Sequence, residues 1–305
     1  MDTSRRIFIK NSALAVAGAA LLPDLLFAQE KRIERIGVQL YSVRDAMSAD
    51  PIDTLKKLNQ GGFRYVEHAG YENRKFYGYS VKEFKKILND HDLQMPSGHT
   101  VMTAQHWDTA KGDFTDEWKY TIEDAAEAGQ RYVISPWLDE GLRTDMEGLK
   151  RFMEQFNKCG GLCKAHGMKF GYHNHNFEFN TMVGQINLYD YILQNTDPSL
   201  VAQQLDIGNM YGTSGVPLDL IAKYPGRFEL IHVKDEIKSN SPGDSDQGYE
   251  STILGQGLIP VKEILKAGRK TGGTSQFYIE HESYQGKDPV DCVKIDLQIL
   301  KKWGY

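Results

Sequence analysis

The sequence predicts a single (β/α)8 barrel, and three observations carry that expectation. Eight short apolar, strand-like runs alternate with helix-like runs along the chain, and such alternation implies parallel strands covered by helices. Each strand-helix unit takes roughly 25 to 45 residues, and the whole suits a closed barrel better than an open sheet. No Pro-, Gly- or Ser-rich linker divides the chain, and no dinucleotide-binding glycine pattern follows a strand. Gly255-Gln256-Gly257 lacks both the third glycine and the preceding strand.

In order, Ile33 to Tyr41 reads as the first strand. Asp50-Pro51 opens a helix that stops at Gly61-Gly62, with proline entering and glycine leaving. Phe63 to Glu67 is a second strand, and Ser80 to His91 a helix with Ser80 and Glu83 spaced as a capping box. Leu93 to His99 forms a third strand, Asp116 to Ala128 a helix ended by Gly129, and Tyr132 to Ser135 a fourth strand closed by Pro136. The longest helix runs from Asp145 to His166, with Leu149, Phe152, Phe156 and Leu162 on one face. Met168 to His175 is the fifth strand, Asn187 to Leu193 begins a helix, and Val201 to Leu205 is the sixth strand, ending at Asp206. Leu218 to Tyr224 is a short helix, Phe228 to Val233 the seventh strand, and Ser239 to Ser251 a polar loop suited to a lid. A helix from Pro260 to Lys270, a strand from Phe277 to Ile279 and a helix from Pro289 to Leu300 complete the count.

Of 305 residues, 40% are hydrophobic and 25% charged, which is ordinary globular usage. A net charge of −5 gives no basic footprint, so neither nucleic acid nor an anionic membrane is an expected partner. Cys159, Cys163 and Cys292 have no zinc or redox spacing and read as buried free thiols. The first 28 residues read as an export signal, leaving residues 29–305 as the domain. Ser4-Arg5-Arg6-Ile7-Phe8-Ile9-Lys10 precedes the apolar run Ala13 to Leu22, and the paired arginines fit the twin-arginine pattern. That run is short for a membrane span, so periplasmic delivery without a stable membrane anchor is expected.

In such a barrel, functional groups stand at the C-terminal ends of the strands. The fifth strand ends in Tyr172-His173-Asn174-His175-Asn176-Phe177-Glu178, the sixth in Asp206, the seventh in His232-Val233-Lys234-Asp235 and the eighth in Glu280-His281-Glu282. Each group alone has a structural explanation, but four consecutive strands presenting an acid or imidazole at one rim point to a shared metal site. Glu178, Asp206, His232 and Glu280 would supply mostly oxygen ligands with one nitrogen, a set suited to a divalent Mn, Mg, Co or Zn ion. Such an ion can chelate a carbonyl and its neighbouring hydroxyl and stabilise the enediolate left when the carbon between them loses a proton.

Over residues 33 to 303 the sequence resembles the xylose isomerase-like barrel superfamily of sugar phosphate isomerases and epimerases. The resemblance rests on Gly37-Val38-Gln39-Leu40-Tyr41-Ser42-Val43-Arg44, Gly62-Phe63-Arg64-Tyr65-Val66-Glu67 and the strand-five cluster. Leu205-Asp206-Ile207-Gly208-Asn209, His232-Val233-Lys234-Asp235 and Gly255-Gln256-Gly257 extend it. It implies that Glu178, Asp206, His232 and Glu280 bind the metal, with Glu178 and Glu280 as an acid/base pair and Lys234 on substrate oxygens. His173 or His175 are alternatives to Glu178, and Glu282 competes with Glu280. Glu67, His68, His99 and Trp137, at the ends of strands two to four, are expected to line a substrate pocket with His173, His175 and Glu282.

The implied activity is metal-dependent proton abstraction next to a sugar carbonyl, giving isomerisation or epimerisation. Dehydration or β-elimination of a keto-sugar, 3-keto-glycoside or keto-inositol uses the same enolate. Export argues against a phosphorylated substrate. The superfamily's apurinic endonuclease branch needs a basic groove that this acidic chain lacks, and a non-catalytic sugar-binding protein would keep the ligands without exchanging C–H protons. A homo-oligomer is compatible with all of these.

Overall fold

The computed structural model describes residues 34–239 and 248–305. The export-signal reading and the centre of the expected lid lie outside those residues. Eight parallel strands close into a barrel: β1 (Arg35–Gln39), β2 (Tyr65–His68), β3 (Gln94–His99), β4 (Tyr132–Ser135), β5 (Lys169–His173), β6 (Val201–Asp206), β7 (Leu230–Val233) and β8 (Gln276–Ile279). β1 pairs β8 through Ile36 opposite Phe277, which closes the ring.

Among the described residues the covering helices of the strands are α1 (Pro51–Gln60), α2 (Val81–Asp90), α3 (Asp116–Ala128), α4 (Met146–Ala165), α5 (Leu188–Asn195), α6 (Pro217–Lys223), α7 (Val261–Ala267) and α8 (Pro289–Lys302), with short helical turns at Arg44–Ala49 and Phe177–Asn180 besides. Their boundaries follow local chemistry. Asp50 accepts from the Asp53 amide ahead of Pro51, and Ser80 and Glu83 make the expected reciprocal capping box. Gly129, at φ 94°, ends α3 in the left-handed conformation. All three cysteines are free and buried.

Side-chain alternation along the strands sorts the chain into two cores. Outward residues pack on the helices, as where Phe170 and Tyr172 of β5 meet Phe156 of α4. Inward residues fill the barrel. Ile134, Ala202, Leu230 and Tyr278 form a separate apolar plug. Gly37 makes room for it, because a Cβ there would stand 2.7 Å from the Tyr278 ring. Above the plug the inward positions are polar and buried, including Gln39, Glu67, Ser97, Gln204 and His232.

Short hairpins missing from the sequence reading decorate the loops after β2, β3, β5 and β7, all on the mouth side. The first is a three-stranded insert of Tyr71–Glu72, Lys75–Phe76 and Tyr79–Ser80. Arg74 and Tyr71 both bond Asp124 of α3, the Arg74 Nη2 to Oδ1 distance being 2.6 Å, which ties the insert to the barrel. After β7, Asp235–Lys238 pairs antiparallel with Tyr249–Thr252, where the sequence suggested only a polar loop. Hairpin strands of two to four residues carry too little alternation to be seen in sequence.

Candidate metal centre

The mouth of the barrel holds a compact set of donor atoms. His173, Asp206, His232 and Glu280 each offer a ligand atom within 4.8 Å of the others, and all four residues are buried. They come from the ends of β5 to β8, as the strand-end pattern predicts. The fourth member differs from the leading expectation. Glu178 is absent from the group and His173 takes its place.

Strand alternation explains the substitution. His173 is an inward residue of β5, whereas Tyr172 faces the helix layer. Glu178 lies beyond the strand in a short helical turn, Phe177–Asn180, that folds back over Tyr172. There its Oε1 accepts from the Tyr172 hydroxyl at 2.5 Å and its Oε2 from the His175 amide at 2.9 Å. Burial pushes the Glu178 carboxyl up to about 7 despite those bonds. Both oxygens bond those groups, and neither belongs to the four-residue set of donor atoms.

Asp206 behaves differently. Its Oδ1 accepts the backbone N–H groups of Gly208 and Asn209, each at 2.7 Å. Its Oδ2 is buried and accepts no hydrogen bond, although the Lys234 ammonium lies 3.3 Å away. A buried carboxylate oxygen without a bond is costly unless something cationic satisfies it. Burial raises the Asp206 pKa, Lys234 opposes that rise, and the Glu280 charge adds to it. The donor set therefore fits a divalent cation.

His232 is held between two carboxylates. Its Nε2 is 2.5 Å from Glu67 Oε2 and its Nδ1 is 3.0 Å from Glu280 Oε2. Burial alone would lower its pKa, but Glu280 and Glu67 lift it to about 10. Glu67 in turn accepts from Gln39, Ser97 and Gln204. Burial would raise the Glu67 pKa, yet the His99 and His232 rings beside it hold the carboxyl at about 2. Glu67 is thus a fixed anion one layer below the mouth. It is wholly buried against His232 and does not line the cavity, contrary to its expected place in the pocket lining.

Gln204 performs the same service for the other imidazoles. Its amide nitrogen donates to Glu67 at 2.8 Å. Its carbonyl oxygen lies 3.0 Å from His173 Nδ1 and 2.6 Å from His99 Nε2. With the His173 Nδ1–H donating to that oxygen, Nε2 keeps its lone pair toward the cluster, 3.9 Å from Asp206 Oδ2. Sequence reasoning missed Gln204, although it stands two residues before Asp206 on the same strand face.

A cavity of about 860 Å³ opens over the cluster, lined by His99, His173, His175 and Glu282 from the expected set and also by Glu280. Burial keeps all three histidines neutral-leaning, His175 at about 4. Trp137, expected in the lining, is not among the residues that line the cavity and instead stands edge-on to His175 at 5.4 Å. His68 is misplaced by the sequence reading. It is an outward residue, 1% exposed, with its ring packed edge-on against Phe76 of the insert. Burial and the neighbouring His99 charge push its pKa down to about 3.

Lys234 reaches into the cluster, with its ammonium 3.0 Å from Glu280 Oε2 and 2.5 Å from Glu282 Oε2. Burial would lower its pKa, but Asp206, Glu280 and Glu282 keep it well above the usual lysine value. Asp235 has a structural task. It accepts the backbone N–H groups of Gly255, Gly257 and Ile259, so the glycine-rich turn wraps a carboxylate supplied by the chain itself.

Comparison with known proteins agrees with this geometry. The family model described as xylose isomerase-like TIM barrel matches residues 55–303. The inosose dehydratase of Clostridium perfringens (strain ATCC 13124) is 28% identical over 211 residues, 62% of this chain and 70% of that protein. The matches to the inosose dehydratases of Salmonella agona and Bacillus licheniformis span about half the length of those relatives. A crystal structure described as a sugar phosphate isomerase/epimerase from Parabacteroides distasonis ATCC 8503 is 27% identical. It aligns with a TM-score of 0.73 over 88% of this chain and 98% of its own. The IOLI protein, whose structure carries a zinc atom, shares the fold at 13% identity with a TM-score of 0.67, over 88% of this chain and 97% of its own. The chain belongs to the xylose isomerase-like TIM barrel family.

Proposed function

We propose that this chain is a divalent-metal-dependent enzyme that removes a proton next to the carbonyl of a non-phosphorylated sugar or polyol, giving isomerisation or epimerisation. The observation that carries this reading is the buried Asp206 Oδ2, which accepts no hydrogen bond, grouped with His173, His232 and Glu280, of which His173 and Glu280 also line the cavity. Those four residues would hold the ion. Two imidazoles and two carboxylates favour Mn, Fe, Co or Zn over Mg, which prefers an all-oxygen shell. When bound, the ion would supply Lewis-acid polarisation of the substrate carbonyl.

The remaining chemistry belongs to the side chains. Glu280 faces the cavity, and although burial favours its neutral form, Lys234 and His232 hold it ionised, so it can accept the proton. Lys234 supplies positive charge where the substrate oxygen becomes negative. Glu282, its side chain 39% exposed and bonded to Lys234, is the second carboxylate of the site, on the same side of the mouth as Glu280. His99, His173 and His175 form a wall of neutral donors and acceptors for hydroxyl groups. Asn209, which accepts from Lys234 at 3.1 Å, adds a neutral amide to the lining.

Dehydration is the second reading. Inosose dehydratases among the relatives favour it, and so does the clustering of base, ammonium and second carboxylate on β7 and β8. Elimination needs a base and a proton donor but no second carboxylate across the mouth. Export through a twin-arginine signal is part of the proposal, and it rests on residues 4–28 alone.

Incubation with free ketoses and keto-inositols in D2O tests the reading. Deuterium should enter the carbon beside the carbonyl, and the product separates isomerase from dehydratase. The purified protein should carry about one divalent ion per chain, and a chelator should stop exchange. Exchange that survives complete metal removal would falsify the metal assignment.

A further inference from the structure

A second cavity of about 500 Å³ adjoins the first, and Tyr41, Arg44 and Ala69 line both. Its character is different. The main cavity is walled by imidazoles and carboxylates, whereas the second is walled by Tyr41, Tyr77 and Tyr79 over apolar Leu40, Met47 and Pro51. Arg44 is the one charged residue in its lining. Both volumes fall in the range of about 300–1,000 Å³ usual for ligand pockets.

The aromatic wall is held rigidly. Tyr77 has a φ of 50°, a left-handed value rare for a bulky side chain, and is followed by Gly78 at φ 86°. Such strain persists only where the surroundings over-determine it. Here the Tyr77 hydroxyl accepts the Ala69 amide at 3.0 Å, and the Tyr77 amide donates to the Gly70 carbonyl at 3.0 Å. On the opposite side, Arg44 lies 4.7 Å over the Tyr41 ring and donates to the Tyr284 hydroxyl at 3.0 Å. The insert after β2 and the turn after β1 thus present fixed aromatic surface beside the polar site. A lining of three tyrosines and apolar side chains, with its one cation already engaged by the Tyr41 ring and the Tyr284 hydroxyl, suits an uncharged ring rather than a phosphate or carboxylate.

We propose that this cavity is a subsite for a second ring joined to the reacting sugar, so that the natural substrate is a glycoside and not a single sugar. The proposal rests on the reading of the main cavity as a sugar site. The reacting ring occupies the polar cavity and the glycosidically linked ring lies against Tyr41, Tyr77 and Tyr79. Arg44 holds the boundary between the two.

The test compares 3-keto-glucose with phenyl 3-keto-glucoside in the D2O exchange assay, and glucose with phenyl β-glucoside in equilibrium binding to the metal-loaded protein. The phenyl compounds should be favoured at least tenfold in kcat/KM and in Kd. Ser48 is exposed on the helix Arg44–Ala49 and lines the second cavity. Ser48→Trp should therefore fill the space without disturbing the core and cut the two-ring to one-ring ratio about tenfold. Tyr79→Ala should move the same ratio in the same direction. A ratio near one in the parent protein, or one unmoved by both variants, overturns the subsite. Exchange on 3-keto-glucose without any two-ring preference leaves the proton-abstraction reading standing and removes only the subsite. Ser48-sensitive binding of phenyl β-glucoside with no exchange on any ketone does the reverse.

Discussion

Two carboxylates near the mouth ends of adjacent strands are both wholly buried, and burial raises the pKa of both, yet their surroundings give them opposite tasks. At Glu178, beyond β5, the chain satisfies both oxygens with the Tyr172 hydroxyl and the His175 amide. At Asp206, ending β6, two backbone amides satisfy one oxygen, and the other is left facing two imidazoles, a carboxylate and an ammonium. Burial and a shifted pKa therefore do not distinguish a structural acid from a ligand. Whether an oxygen is left without a hydrogen bond does. On that contrast Glu178 belongs to the packing between β5 and its covering turn, while Asp206 keeps an oxygen that a metal could take.

The largest effect expected from breaking this contrast is at Glu280 and Asp206. Glu280→Gln should lower turnover by about 10²–10⁴-fold, the range for loss of a positioned base, while far-ultraviolet circular dichroism stays unchanged. Asp206→Asn should abolish tight metal binding. Near-normal activity in Glu280→Gln would remove it from the base role.

Below that lies the test of which strand-five residue is the ligand. His173→Ala should weaken metal binding by at least about tenfold, and Gln204→Leu by about 10–100-fold through loss of the bond that fixes His173 and supports Glu67. Glu178→Gln should leave metal affinity unchanged. Competition against a fluorescent chelator measures all three. A Glu178→Gln variant as weak as His173→Ala would restore Glu178 to the ligand set.

The barrel itself was legible because strand and helix periods alternate eight times with clear stops such as Gly61-Gly62 and Gly129. Three of the four donors were legible because Asp206, His232 and Glu280 end their strands on the inward face. The fourth was legible only as an alternative to Glu178, because beyond His173 the chain leaves the strand, and sequence spacing cannot say that Phe177–Asn180 turns back toward the helices. His68 and Glu67 went astray for a related reason. Neighbouring positions on β2 point to opposite faces, so one is packed outward on Phe76 while the other lies under His232. Gln204 could have been read by counting back two from Asp206, but an amide attracts no notice among acids and imidazoles.

The smallest expected effect concerns stability and follows from the sign of the Glu178 shift. Its carboxyl moves from 4.5 up to about 7, burial being the cause, so the folded protein binds a proton there more tightly than the unfolded chain does. Stability from this group is complete below about pH 4.5 and is lost as pH rises through about 7. That shift corresponds to roughly 3 kcal/mol at most. Glu178→Gln holds a permanently neutral group in the same space and removes the dependence. His68, shifted in the opposite direction by burial, titrates in both proteins and cancels in the difference. Urea unfolding of the metal-free protein at pH 5, 6, 7 and 8 should therefore show the parent losing stability relative to the variant as pH rises. Parallel curves would mean that Glu178 is already ionised in the folded state, and that the Tyr172 and His175 bonds outweigh its burial.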